Sequence, residues 1–167
     1  MGSWFKAHRK QVITHTLIVG AFVLFLLFLA EPLFNIGREA VQGESRLYQI
    51  SLPAETNNIQ YGINKLGMTT QMLEVEGWAF IEGYDSVDSE IYIVLKSADR
   101  TYVFTSETVI KTSVTHIFKE LDLNLDYTGF TALIPAREIA NGEYTVGIYI
   151  RKGDIEALQY TDRAIKK

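Results

Sequence analysis

Residues 12–30 read VITHTLIVGAFVLFLLFLA, a run without formal charge in which only Gly20 interrupts the apolar side chains from Leu17 to Ala30. At the helical rise such a run is about 28 Å long, close to the ~30 Å hydrocarbon core of a bilayer. A helix packed on a soluble core keeps a polar stripe for water, and this one has none. A cleaved leader wants small residues before the cleavage point. Here the run ends Phe28-Leu29-Ala30-Glu31-Pro32, with Phe where an A-x-A pattern has Ala. The run is therefore read as a retained signal anchor, one transmembrane α-helix. Lys6, Arg9 and Lys10 precede it and only Arg38 follows closely. The positive-inside rule then leaves the N-terminus in the cytoplasm and puts the rest of the chain outside the cell membrane. Trp4, Phe5 and Phe34 suit interfacial depths, and Pro32 marks the helix exit. Thr16 and Gly20 form one small-xxx-small pair of the kind that lets helices approach closely.

Charge separates the two parts of the chain. Lys6, Arg9 and Lys10 against Glu31 give residues 1–35 a balance of +2, while residues 36–167 hold 13 basic and 19 acidic side chains, a balance of -6. An acidic ectodomain excludes the nucleic-acid-binding class, which needs a basic face for phosphates. The chain has no cysteine. Disulfides and thiolate metal sites are excluded with it.

Downstream of the span the polar run NIGREAVQGES at 35–45 reads as a juxtamembrane linker, and 47–52 as a first strand or an extended approach. From Ile59 the apolar period changes from helical to two. Strands are expected at 59–67, 72–81, 90–97 and 102–105, with a hairpin turn at Ala98-Asp99-Arg100-Thr101. Further strands are expected near 114–118 and at 129–135, 143–151 and 157–165. Short strands spaced by turns, with no long amphipathic helix between them, indicate an all-β antiparallel sandwich rather than an α/β fold. The expected organisation is a tail at 1–11, the span at 12–30, a linker and approach at 31–58 and the domain at 59–167.

The stretch Ile139-Ala140-Asn141-Gly142-Glu143-Tyr144-Thr145-Val146 resembles the tyrosine corner of immunoglobulin-like and fibronectin-type sandwiches. In those domains an apolar residue, a glycine (here Gly142) and a tyrosine (here Tyr144) lead into the penultimate strand. The resemblance implies that Tyr144 packs inward and that its hydroxyl bonds backbone at the corner. Val146 stands where antibody-type domains carry cysteine, and Trp78 lies on an early strand rather than the one that carries their core tryptophan. More loosely, Glu76-Gly77-Trp78-Ala79-Phe80, with Gly129-Phe130 and Gly142-x-Tyr144, resembles sandwich modules of bacterial cell-envelope glycan proteins.

Gly77 matters because of its position inside a strand. Simple alternation from Leu73 and Val75 turns Trp78 and Phe80 outward, whereas a bulge at Gly77 would turn them inward. Trp78 is then either packed against neighbouring strands or an exposed platform for a sugar ring or a protein. Tyr92, Tyr149 and Tyr160 alternate away from the expected core. They are either cross-strand pairs or a sheet face that stacks on carbohydrate. Asp85, Asp88 and Glu90 lie together in a turn, at a ligand density that calcium can use but without EF-hand spacing. His8, His15 and His116 share no metal-ligand spacing. No nucleophile elbow, Walker loop, dinucleotide fingerprint or H-E-x-x-H is present. The sequence thus describes a single-pass, non-catalytic binding or accessory module of the cell envelope that assists surface-glycan machinery, without cofactor or metal. The alternative is a structural subunit of a multi-chain membrane complex. The partners implied are lipid at the anchor, a membrane-bound protein and a carbohydrate.

Overall fold

A computed structural model describes residues 15–25 and 43–167. The tail, the two ends of the apolar run and the linker as far as residue 42 lie outside the described residues. Two compact units, Met1–Gln42 and Gly43–Lys167, divide the chain. In the first, residues 15–25 form a helix, α1. Among the described residues no helix is long and apolar enough to cross a membrane. What is described of α1 is eleven residues, or roughly 16 Å.

The second unit holds eight strands: β1 (Ile59–Met68), β2 (Met72–Ile81), β3 (Glu90–Lys96), β4 (Thr101–Thr105), β5 (Glu107–Val109), β6 (Gly129–Pro135), β7 (Glu143–Lys152) and β8 (Ile155–Lys166). They form two four-stranded sheets, ordered β1-β2-β6-β5 and β4-β3-β7-β8, and every pairing is antiparallel. The alternating apolar positions meet between the sheets. Leu73, Val75 and Ile134 from one and Ile93, Leu95 and Ile148 from the other share a single core, each without measurable exposure. This is the expected antiparallel sandwich.

One local expectation is corrected, and one open alternative is decided. The strand near 114–118 is instead a short helix, α2 (Thr112–Ile117), followed by a 3-10 turn at Lys119–Leu121. Its β-branched residues favour a strand by propensity. The i, i+4 pair Val114 and Phe118 overrides this by packing on Phe80, Trp78 and Leu125. No bulge falls at Gly77. The register of β2 against β6 runs unbroken, and the irregularity lies opposite, between Ile63 and Lys65 of β1. Simple alternation therefore holds, with Ala79 and Ile81 in the core and Trp78 and Phe80 on the outer face.

The unit Gly43–Lys167 also takes in the stretch before β1. Residues 45–58 lie within this unit. Ser45 donates its N–H to the Leu133 carbonyl at 2.8 Å and accepts the Leu133 N–H at 3.0 Å through Oγ. The chain then bridges to β4 through Leu47 and Phe104 and crosses the outer face of the second sheet. It is fastened again where Thr56 donates to the Leu158 carbonyl. This strap lays Tyr48, Ile50 and Leu52 over the outward apolar side chains of β3, β4, β7 and β8. The outer faces of both sheets are thus partly roofed, one by α2 and the other by the strap.

Candidate interaction surface

The outward aromatic residues lie under those roofs. Tyr92 and Tyr149 are direct cross-strand partners, with ring centroids 5.3 Å apart and exposures of 5% and 0%. Tyr48 of the strap stacks on Tyr92 at 5.0 Å. The hydroxyls reach the edge of the cluster, where Tyr92 donates to Glu90 and Tyr149 to Glu156. Arg151 closes the edge by pairing with Glu90 and donating to the Tyr92 hydroxyl. Burial, and then the Glu90 carboxylate, push the Tyr92 phenol up to about 12. Burial and Glu156 raise Tyr149 likewise. With their faces covered, neither ring is open to a sugar.

Tyr160 and Trp78 each lie across a glycine. A β-carbon on Gly147 would stand 2.8 Å from Tyr160 Cδ1, and one on Gly62 would stand 2.6 Å from Trp78 Nε1. Lys96 Nζ lies over the Tyr160 ring, 4.4 Å from its centroid. Burial, and secondarily Glu55, raise the Tyr160 phenol. Trp78 is half-buried, stacked on Phe80 and edge-on to Phe118. Gly77 faces the core, where an added β-carbon would overlap the Gly62 carbonyl oxygen and lie 2.7 Å from Phe130 Cζ. Tyr144 is 1% exposed, and its hydroxyl donates to the Ala140 carbonyl at 2.9 Å, beside Gly142.

The acidic turn is divided among cations. Lys152 pairs with Asp85 at 2.8 Å, and that bond holds the Asp85 carboxyl below its usual range against the opposing effect of burial. Glu90 belongs to Arg151, and Asp88 sits in the left-handed region at φ 58°. Among the described residues no group of three or more His, Cys, Asp or Glu has the geometry of a metal site. A cleft of about 620 Å³ runs between the start of the strap and β5. Within it Arg137 pairs with Glu44 and Glu138, and the Gly43 N–H donates to Glu107.

What remains open lies at one end of the sandwich. The loops 82–89 and 110–128 are fastened together there. Ser86 accepts the Tyr127 N–H and donates to the Asn124 carbonyl, while the Lys111 N–H donates to the Asp126 carbonyl. Ile110 and Ile117 are 65% and 64% exposed on this end, with Leu121, Tyr84 and Tyr127 above 40%. Sequence reading passed over these residues because a single apolar side chain in a loop carries no period. Only the hydrogen bonds between the loops bring them together.

Neither a family model, nor a curated protein, nor a solved structure matches this chain.

Proposed function

We propose that the chain is a membrane-anchored, non-catalytic binding module of the cell envelope, with an immunoglobulin-like domain that serves a membrane-bound partner of the surface-glycan machinery. The observation that carries this reading is α1. Leu17, Ile18, Val19, Phe22, Leu24 and Phe25 are between 43% and 69% exposed, at positions spread around most of the helix. Such a surface calls for lipid or for the helices of another protein. The domain type is supported by strand order. Lettered along the chain, the two sheets read A-B-E-D and C′-C-F-G, the sets used by immunoglobulin-type sandwiches. The Tyr144 hydroxyl bond to Ala140, at the entry to the strand lettered F, supports it too. The cleft between the strap and β5, where Arg137 is paired with Glu44 and Glu138 and no nucleophile stands beside a base, favours binding over chemistry.

The test is extraction of the full chain from membranes at alkaline pH, with protease added to sealed right-side-out vesicles. The chain stays in the membrane pellet and protease degrades residues 43–167. Release into the supernatant, or a mature N-terminus at Glu31, overturns the anchor. A second reading, a structural subunit of a multi-chain membrane complex, is favoured by Gly20, where an added β-carbon meets nothing within 4 Å and a neighbouring helix has room to approach. A stoichiometric complex that survives mild detergent and is lost in Gly20→Leu would establish that reading instead.

A further inference from the structure

Eight large apolar side chains of the Gly43–Lys167 unit are exposed, and seven of them fall between residues 84 and 127, on the two fastened loops and the end of β5. Leu47 is the exception. This concentration is unlike the scatter of single apolar side chains on an ordinary surface. Ile117, the last residue of α2, and Leu121, the last of its 3-10 turn, are four residues apart and both exposed, while Val114 is buried. Ile110 neighbours Lys111, whose N–H bonds the Asp126 carbonyl and joins the two ends of this loop beside Tyr127. Tyr127 in turn bonds Ser86 beside Val87. One connected crest results.

The charge around the crest is predominantly negative, with Lys119 exposed between Ile117 and Leu121. Residues 82–90 and 110–128 hold seven carboxylates and two lysines. Lys152 and Arg151 neutralise Asp85 and Glu90. Lys111 is turned to Asn64. Asp88, Glu120 and Asp122 are exposed with no cation at ion-pair distance among the described residues. At the opposite end, Arg163, Lys166 and Lys167 follow a single Asp162. An apolar surface with an acidic rim discriminates among partners by sign, because a like-charged rim would bring unpaired charges together.

We infer that the crest formed by Ile110, Ile117, Leu121, Tyr127 and Val87 docks a protein partner whose apolar contact surface is rimmed by lysine or arginine. Apolar burial supplies affinity at the centre, and Glu120, Asp122 and Asp88 steer and select at the rim. The inference rests on the reading of the chain as a binding module but not on its anchor, so membrane extraction and the experiment below fail independently.

The probe is a synthetic 18-residue amphipathic helix with leucine on one face and lysine on the other, compared with its twin carrying glutamate for lysine. Binding to the full-length protein in zwitterionic nanodiscs is read by anisotropy of the labelled peptide, with empty discs subtracted. The lysine peptide binds at least tenfold more tightly than the glutamate twin, and added salt narrows the gap. Ile110→Asp with Ile117→Asp weakens it at least tenfold; both positions are too exposed for this to disturb folding, and an unchanged thermal midpoint confirms that. Glu120→Lys with Asp122→Lys reverses the preference between the twins. Equal affinity for the twins, or wild-type binding by the Ile110→Asp, Ile117→Asp variant, overturns the proposal. So does a peptide-independent dimer that the same variant dissolves, which would make the crest a contact between copies.

Discussion

The indole of Trp78 fills the space above Gly62 that a side chain would need, and Nε1 stands 2.6 Å from where a β-carbon would be. Gly62→Ala therefore moves the indole edge instead of distorting backbone. A methyl in a strand favours the folded state by about 0.5 to 1 kcal/mol over glycine, and overpacking costs about 1 to 3. The expected net loss is about 1 kcal/mol, with a shift in Trp78 emission. Gly77→Ala faces the Gly62 carbonyl and Phe130 in the core, and neither has room to withdraw. It should cost at least 2 kcal/mol, at the upper end of overpacking. Denaturant midpoints of the two variants check the order; equal midpoints would mean the inner face is as yielding as the outer.

Tyr144 joins core packing to a single backbone bond. Its truncation to alanine leaves a cavity and should cost about 3 to 5 kcal/mol, as for other large buried aromatics. Tyr144→Phe removes the hydroxyl's bond to Ala140 and its contact with Tyr102, for a loss of about 1 kcal/mol. Unfolding curves decide: an alanine variant with the wild-type midpoint and slope would show that the ring is not a core element.

A chain beginning at Ile59 loses the strap and uncovers Tyr92, Val94, Val103, Tyr149 and Leu158. Each buried side chain of this size is worth about 1.5 to 3 kcal/mol, so the truncated domain should be unfolded or aggregated, not soluble and folded. Tyr48→Ala, at a half-buried site, should cost about 2 kcal/mol, roughly half the value for a fully buried aromatic. Size-exclusion and near-ultraviolet circular dichroism of the truncated chain make the test. A monodisperse domain with wild-type spectra would reduce the strap to decoration.

The same tyrosine cluster sets an alkaline limit. The Tyr92 phenol ionises at about 12 in the folded protein, against about 10 unfolded. The raised value means the folded state prefers the neutral phenol. The stability it confers is complete below about pH 10 and is lost as pH rises toward about 12. Absorbance of tyrosinate should show Tyr92 titrating late and together with unfolding, and Tyr92→Phe should lessen the loss of stability in that window. Ionisation of all tyrosines near their ordinary value with the fold intact would contradict the buried cluster.

Much of the sandwich was legible because its information is local and periodic. Leu73, Val75 and Ala79, and Val146, Ile148 and Ile150, announce their inner faces by alternation. The turn at Ala98-Asp99-Arg100-Thr101 announces the β3–β4 hairpin, closed by the Ser97 N–H to the Arg100 carbonyl. The strap was harder to read. Tyr48, Ile50 and Leu52 also alternate, but their partners lie in β3, β4, β7 and β8, and no pattern within six residues names a distant roofed face. The outward tyrosines were correctly placed off the central core by period. Period does not tell a covered outer face from a bare one. The crest was invisible for a related reason: its coherence comes from Ser86 bonding across the two loops, and from Lys111 and Thr115 bonding Asp126 within the second, and not from spacing.

The strap also sets an order of events during synthesis. Residues 45–58 are made before every strand of the sandwich, yet Thr56 and Ile59 await Leu158 and Gln159, 102 and 100 positions later. At about 5 to 20 residues per second, roughly 5 to 20 seconds separate the appearance of the roof from that of the last strand beneath it. Contacts of such long range close late and slow the approach to the native state. Through that interval Tyr48, Ile50 and Leu52 travel uncovered. The first segment of the domain to leave the ribosome is thus the last to find its place, and the one most in need of a chaperone.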